Sequence, residues 1–168
     1  MAVLTGERVL LAPVTAEHVP ALLRIRVTAE VLVRWGDPGD EPDWPFDDPE
    51  TVCFAVIVDD EVLGLVQYGV ETDPSYRHAS IDIFLDPAVH GRGLGRDAVR
   101  TLARHLIDGR GHHRLVIDPA ADNETAIRAY EAVGFRRVGV MRAYERDADG
   151  KGWHDGLLME LLAGELLD

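Results

Sequence analysis

The pattern of apolar and polar positions along the chain predicts its elements. Arg8 to Ala12 is a short apolar run closed by Pro13 and predicts a first strand. Thr15 then stands where a helix N-cap belongs, with His18 three residues on. Leu22, Leu23, Ile25 and Val27 follow at helical spacing, and Val31, Leu32 and Trp35 predict a second short helix. Thr51–Val58 and Glu61–Val70 flank Asp59-Asp60, a hairpin turn. Arg77–Leu85 predicts the next strand, ended by Asp86-Pro87. Leu94, Ala98, Leu102 and Leu106 keep one helix face apolar. Arg114–Ile117 predicts a buried strand, stopped by Pro119. Glu124–Val133 predicts a helix with Gly134 as its C′ residue. Phe135–Met141 and Asp155–Leu162 predict two final strands. The order β-α-α-β-β-β-α-β-α-β-β defines an α/β (α+β) domain over residues 1–168, one sheet with helices on its faces.

Gly36–Glu50 breaks this pattern. Its four prolines forbid a regular element, and it carries seven acids and no base. It reads either as a solvated surface excursion or as an acidic lid over a cationic ligand. Charge sharpens the second reading. Thirty acids against seventeen bases leave the 168-residue chain at −13. That disfavours nucleic acid and anionic membranes, neither of which is expected as a partner, because phosphate contacts need Lys and Arg. It suits a cationic partner or simple solubility. The longest apolar run, Val52–Val58, is far short of a membrane span, and the N-terminus lacks a basic-then-apolar signal, so the expected compartment is cytoplasmic. Cys53 has no internal partner, and the seven histidines show no ligand spacing, so no metal is expected.

The glycine turn His90-Gly91-Arg92-Gly93-Leu94-Gly95 lies between a strand and a helix. Glycine lets a ligand approach the backbone, and the first amides of the helix are unpaired, with the positive dipole end behind them. Such a turn holds an anion, and a pyrophosphate suits it. Arg92 and Arg96 add positive charge in an acidic protein. No Gly-Lys-Ser/Thr follows, so it is not a P-loop. It comes after several antiparallel-looking strands, so it is a poor dinucleotide fingerprint.

These residues resemble the GNAT superfamily of acyl-CoA-dependent N-acyltransferases. That family's pyrophosphate loop is Gln/Arg-x-x-Gly-x-Gly/Ala at a strand-to-helix turn, here with His90 in place of Gln or Arg. Asn123 to Phe135 is similar to the family's Asn-x-x-Ala-x-x-x-Tyr-Glu-x-x-Gly-Phe. Shorter segments resemble aminoglycoside 6′-N-acetyltransferases: Arg34-Trp35-Gly36, Glu71 to Pro74 with Ser80-Ile81-Asp82, and Asp118-Pro119 before Asn123. Protein N-terminal acetyltransferases share some of these.

The resemblance implies a GNAT fold, with a mixed sheet of about six to seven strands splayed between the fourth and fifth and flanked by about four helices. It implies acetyl-CoA as cosubstrate. Ile83, Phe84 and Leu85 would bind its pantetheine through backbone groups. Gly91, Arg92, Gly93, Leu94, Gly95 and Arg96 would hold its pyrophosphate, and Asn123 would bond its arm. Tyr130 would protonate the departing thiolate. Asp82, on one strand face with Ser80 and Phe84, would take the amine proton or anchor an ammonium. Asp118 and Asp155 would bind further ammonium groups, although each also fits an ordinary turn or strand end. Trp35 and Trp44 would wall a sugar ring, although a buried anchor suits Trp35 at least as well. The acceptor implied is a cationic small-molecule amine, an aminoglycoside first, giving antibiotic resistance. A protein N-terminus or a polyamine is the alternative. A decayed acetyl-CoA-binding module is disfavoured, since both Asn123 and Tyr130 are present. The chain would be a monomer or a homodimer, with Leu157, Leu158, Leu161 and Leu162 serving core or contact.

Overall fold

The structure is a computed structural model describing residues 1–40 and 42–168. Glu41, one of the loop acids, lies outside the described residues. Among the described residues the strands are β1 (Leu4–Thr5), β2 (Leu10–Pro13), β3 (Val52–Val58), β4 (Glu61–Glu71), β5 (His78–Leu85), β6 (Arg114–Ile117), β7 (Arg136–Arg146) and β8 (Trp153–Leu162). The helices are α1 (Val19–Arg26), α2 (Ala29–Trp35), α3 (Leu94–Arg104) and α4 (Glu124–Glu131). One sheet of eight strands runs β1-β2-β3-β4-β5-β6-β8-β7. This exceeds the expected six to seven, because Leu4–Thr5 adds a two-residue edge strand too short to show as a pattern.

Every pairing is antiparallel except β5 with β6, which run parallel. That parallel pair is brief: Ala79 faces Leu115 and Ser80 faces Val116, and pairing stops there. From Ile81 onward β5 has lost its neighbour on that side, and the sheet opens. The sequence's fourth and fifth strands are β5 and β6, so the splay falls where it was expected. The opening has a topological cause. A parallel pair needs a crossover, here α3, while β8 enters antiparallel on the far side of β6.

Two cores cover the two faces. Leu94, Ala98, Val99 and Leu102 of α3, with Ile127 and Tyr130 of α4, pack on one face against Ile81, Leu115, Ile117 and Met159. Leu22 and Ile25 of α1, Val31 of α2 and Trp44 pack on the other against Leu65 and Phe84. Each fully buried aliphatic side chain contributes about 1.5–3 kcal/mol. The Asp59-Asp60 turn adopts positive φ at both residues (49° and 63°), matching the twist of the β3–β4 hairpin.

Two local expectations are corrected. The helix α1 begins at Val19 with His18 as N-cap, not at Thr15. Thr15 instead donates its backbone N–H to His18 Nδ1 at 3.1 Å, and Pro20 sets the first turn. The final hairpin is longer than predicted, because β7 runs on to Arg146 and β8 starts at Trp153.

The first residues are pinned to α3 by Asp97. Its carboxylate accepts the backbone N–H groups of Glu7, Arg8 and Val9 at 3.1, 2.8 and 3.1 Å. Gly6 is required beside it, since a Cβ there would meet Thr101 Oγ1 at 2.5 Å and both Asp97 oxygens at 2.9 Å.

Candidate active site

A cleft of about 960 Å³ occupies the splay. Trp35, Ile83, Phe84, Leu85, the whole turn from His90 to Arg96, Asn123 and Tyr130 line it. The sequence-predicted residues for a pantetheine and a pyrophosphate thus share one cavity.

The glycine turn has the form an anion needs. Gly91 and Gly93 have φ of 77° and 78°, and a Cβ on either would meet nothing within 4 Å. The turn is open to a ligand, and the glycines serve its backbone path. Gly93 is the left-handed N-cap of α3, so the amides of Leu94, Gly95 and Arg96 lack intrahelical partners. His90, where the family pattern has Gln or Arg, sits with its ring Nε2 3.1 Å from the Leu85 carbonyl, tying the turn to the end of β5. Arg8 donates to the Arg92 carbonyl from the other side. Glycine turn, helix terminus and cleft size together fit a pyrophosphate with an extended arm, the shape of acetyl-CoA.

Asn123 has a local duty the sequence reading passed over. Its Oδ1 accepts the Ala126 N–H at 3.3 Å and caps α4. An Asn directly before Glu124 carries that signal in the sequence. Its side chain still lines the cleft.

Asp82 lies one residue beyond the cleft lining on β5. Asp82 is an exposed residue whose carboxylate is crowded by the surrounding protein on its inner side, and that partial loss of water raises its pKa to about 7. The Ile83 N–H, donating at 2.9 Å, opposes the shift, while the negative charges of Asp118 and Glu145 add to it. Tyr130 is buried at 8% exposure, and its phenol is held far above the ordinary range, first by burial and then by the charges of Asp82 and Asp118. Asp82, Asp118 and Tyr130 therefore form one electrostatic group. At neutral pH it holds a carboxyl near its midpoint and a phenol that keeps its proton.

The structure separates Asp155 from that group. Its Oδ1 accepts the Ala143 N–H at 2.8 Å, inside a β7 bulge between Met141 and Glu145. Ala143 has φ of +46°, which a capped bulge sustains. The bulge brings Tyr144 near Asp118, and that carboxylate first, then burial, push the phenol's pKa up to about 12. Tyr144 and Glu145 were absent from the sequence-based candidates. The available signal was Gly156, a glycine inside a strand pattern.

The tryptophans divide. Trp35 is half-buried, lines the cleft and meets Phe84 edge-on at 4.9 Å. Trp44 is buried at 8% exposure, against Phe84 at 6.2 Å and under the Arg26 guanidinium at 4.5 Å. It is an anchor for the acidic loop rather than a free wall. Arg26 also donates to the Trp35 carbonyl at 3.1 Å, so one buried cation holds both tryptophans. The acidic loop is thereby fastened on the face of β5 that carries Phe84 and, by alternation, Asp82. Cys53 is half-buried, and burial, then Asp47 and Asp48, push its thiol up to about 11. It stays a thiol at neutral pH and is no acyl-carrying nucleophile. Among the described residues no three metal-ligating side chains gather, and no helix is long and apolar enough to cross a membrane.

A splayed mixed sheet with a glycine turn at the mouth of the splay defines an acyltransferase of the type the sequence resembles. The model of the acetyltransferase (GNAT) family matches residues 20–135. The chain belongs to that family, whose cosubstrate is acetyl-CoA and whose activity is acetyl transfer. An uncharacterized protein of Mycobacterium leprae is 32% identical over 145 residues, covering 79% of this chain and 39% of that protein. The N-alpha-acetyltransferase RimI of Mycobacterium tuberculosis is 37% identical over 73 residues, 44% of each chain. An aminoglycoside N(6′)-acetyltransferase type 1 of Klebsiella pneumoniae is 40% identical over 72 residues, 42% of this chain and 35% of that one. The chain thus spans less than half the length of each of these curated relatives. Among solved structures, Mycobacterium smegmatis RimJ in complex with CoA-disulfide superposes with a TM-score of 0.83 at 23% identity, over 99% of this chain and 90% of that one. That likeness concerns the fold.

Proposed function

We propose that this protein is an acetyl-CoA-dependent N-acetyltransferase acting on a small polycationic amine, with the 6′-amino group of an aminoglycoside as acceptor and antibiotic resistance as the consequence. The observation that carries the reading is the Asp82–Asp118–Tyr130 group, in which Tyr130 lines the cleft and Asp82 follows on β5 beside the cleft-lining Ile83. Several carboxylates in one region suit an acceptor bearing several ammonium groups.

In this reading acetyl-CoA supplies the thioester. Asp82 takes a proton from the acceptor ammonium, and a pKa about 7 suits a base working near neutrality. The free amine forms the N–C bond as the C–S bond breaks, Tyr130 gives its proton to the sulfur, and the second nitrogen proton, released as the amide forms, returns to the Tyr130 oxygen through solvent. With Cys53 held as a thiol, transfer is direct from cosubstrate to acceptor.

A second reading is acetylation of a protein N-terminus or a metabolic polyamine. The partial match to an N-alpha-acetyltransferase favours it about as strongly as the aminoglycoside match favours the first. A thiol-release assay with acetyl-CoA separates them. Kanamycin, tobramycin, gentamicin C1 (its 6′-amine already methylated), spermidine and N-terminal peptides form the panel. Turnover of kanamycin and tobramycin with gentamicin C1 poor supports the first reading. Turnover of peptides or spermidine alone overturns it.

A further inference from the structure

We propose that Arg34 and Asp122 are positioning residues of the cosubstrate site: their ion pair joins the two walls of the cleft and latches the short helix α2 over the arm of bound acetyl-CoA. The latch requires acetyl-CoA as cosubstrate, which membership of the family supplies, and it serves whichever amine is the acceptor.

Arg34 stands on α2, and Asp122 on the turn before α4. Arg34 Nη1 donates to Asp122 Oδ1 at 2.9 Å. Arg34 lines the cleft beside Val31 and Trp35 of its own helix. Asp122 directly precedes Asn123, which lines the cleft from the α4 side with Ala126. These walls belong to different layers. Val31 of α2 packs in the core on one face of the sheet, and Ile127 of α4 packs in the core on the other. An arm laid along Ile83 to Leu85 in the splay passes between the layers, and the ion pair ties them together beside it.

The two ends of the pair are held unequally. The turn carrying Asp122 is pinned by its backbone: Ala121 donates to the Asp155 carbonyl at 2.9 Å, Asn123 to the Ala120 carbonyl at 2.9 Å, and Ala120 is bridged to Gly156. By contrast, α2 is seven residues long and buries only Val31. Its N-cap Thr28 makes no side-chain cap bond, and Gly36 ends it at φ of 74°. Asp122 is thus a fixed post and Arg34 the movable arm. The Arg34 and Asp122 side chains are 38% and 82% exposed, so water and salt compete for both and the bond opens easily. A latch needs that, because acetyl-CoA enters and CoA leaves through the same cleft.

Charge alone predicts the opposite sign for Asp122. A carboxylate beside a site for a polyanion repels it, so its removal would tighten binding. Removing half of a latch loosens binding instead. The test is calorimetric titration of CoA into the wild type, Asp122→Ala, Arg34→Met, the double variant and the charge-exchanged pair Arg34→Asp/Asp122→Arg. At low salt each single change is expected to weaken CoA roughly threefold, the scale of a half-exposed ion pair. The double variant should be no weaker than Arg34→Met alone, and the exchanged pair should recover most of the wild-type affinity. The differences should shrink at high salt, and hydrogen exchange of the α2 amides in the CoA complex should quicken in each single variant while Tm stays close to wild type. Tighter or unchanged binding by Asp122→Ala, additive losses in the double variant, or no recovery in the exchanged pair would overturn the proposal. A wild type that binds no CoA would overturn it together with the cosubstrate assignment.

Discussion

Asp82 and Tyr130 come from different layers, one from strand β5 and one from helix α4, yet the carboxylate's charge raises the pKa of the phenol. Loss of water drives both groups toward their neutral forms, completely for the buried Tyr130 and by crowding alone for the exposed Asp82. The outcome differs because their ordinary ranges differ. Asp82 is brought to about 7, where it can accept a proton, and Tyr130 is held where it only donates.

The first prediction concerns pH. A base must be ionised to act, so kcat/KM should rise with pH through about 7 and then level off. Tyr130 should contribute no fall below the alkaline range, because its pKa is raised. Asp82→Asn should lower kcat/KM at neutral pH and flatten the acid limb. A pH–rate profile of both forms, measured at low acceptor concentration, checks this; an acid limb that persists in the variant would remove Asp82 from the proton step.

Tyr130→Phe keeps the ring packed near Phe135 (6.4 Å between centroids) and removes the donor. It should lower kcat by roughly 10²–10⁴-fold, the loss typical of a general acid. Acetyl-CoA affinity, measured by calorimetry, should stay within a factor of a few. A kcat equal to wild type in single-turnover experiments would assign the sulfur's proton to water.

Gly93→Ala and Gly64→Ala should fail differently. A Cβ at Gly93 has free space but an unfavourable φ of 78°, a strain of about 1–2 kcal/mol in the turn itself. Acetyl-CoA binding should weaken, with Tm falling by only a few degrees. A Cβ at Gly64 would run into the Phe84 carbonyl and the Leu85 backbone, wedging β4 from β5. That variant should lose stability first. Thermal melting beside calorimetric titration separates the two cases, and equal melting losses would contradict the assignment.

Asp97→Ala should release the N-terminal segment. Three backbone N–H groups lose a charged acceptor, and one such bond is worth about 1.5–3 kcal/mol. The denaturation midpoint should fall, and hydrogen exchange should quicken at Glu7, Arg8 and Val9. Unchanged exchange at those amides would show the segment held by other contacts.

Trp44→Ala tests the loop anchor. Removing a buried indole costs about 3–5 kcal/mol and takes away the nearer of the two rings against the Arg26 guanidinium. KM for a polycationic acceptor should rise while KM for acetyl-CoA holds, because the loop sits on the Phe84 face and not on the glycine turn. A rise in KM for acetyl-CoA alone would place the loop elsewhere in the reaction.

Much of this architecture was legible in the chain itself. Period-2 runs, the Asp59-Asp60 turn and the amphipathic face of α3 mark elements that form largely from local preference and burial. The glycine turn and the Asn123-to-Phe135 block sit at a strand–helix junction and on a helix, where local sequence dictates backbone form. Their placement in one cleft follows from the single parallel pair, which any β-α-β crossover imposes.

The partners of side chains were decided by the tertiary structure. Alternation assigns Asp82 a face, but its pKa depends on Asp118 and Glu145, which arrive from β6's exit and β7. Asp155 and Asp118 look alike in sequence; one caps the Ala143 bulge and the other meets Tyr144. Trp44 sits in a proline-broken acidic stretch that reads as a solvated excursion or a lid over a ligand, yet Arg26 and Phe84 bury it. The physical reason is the same in each case. Backbone conformation responds to neighbours a few residues away, whereas burial, charge and hydrogen bonding respond to whatever the fold brings within a few ångströms.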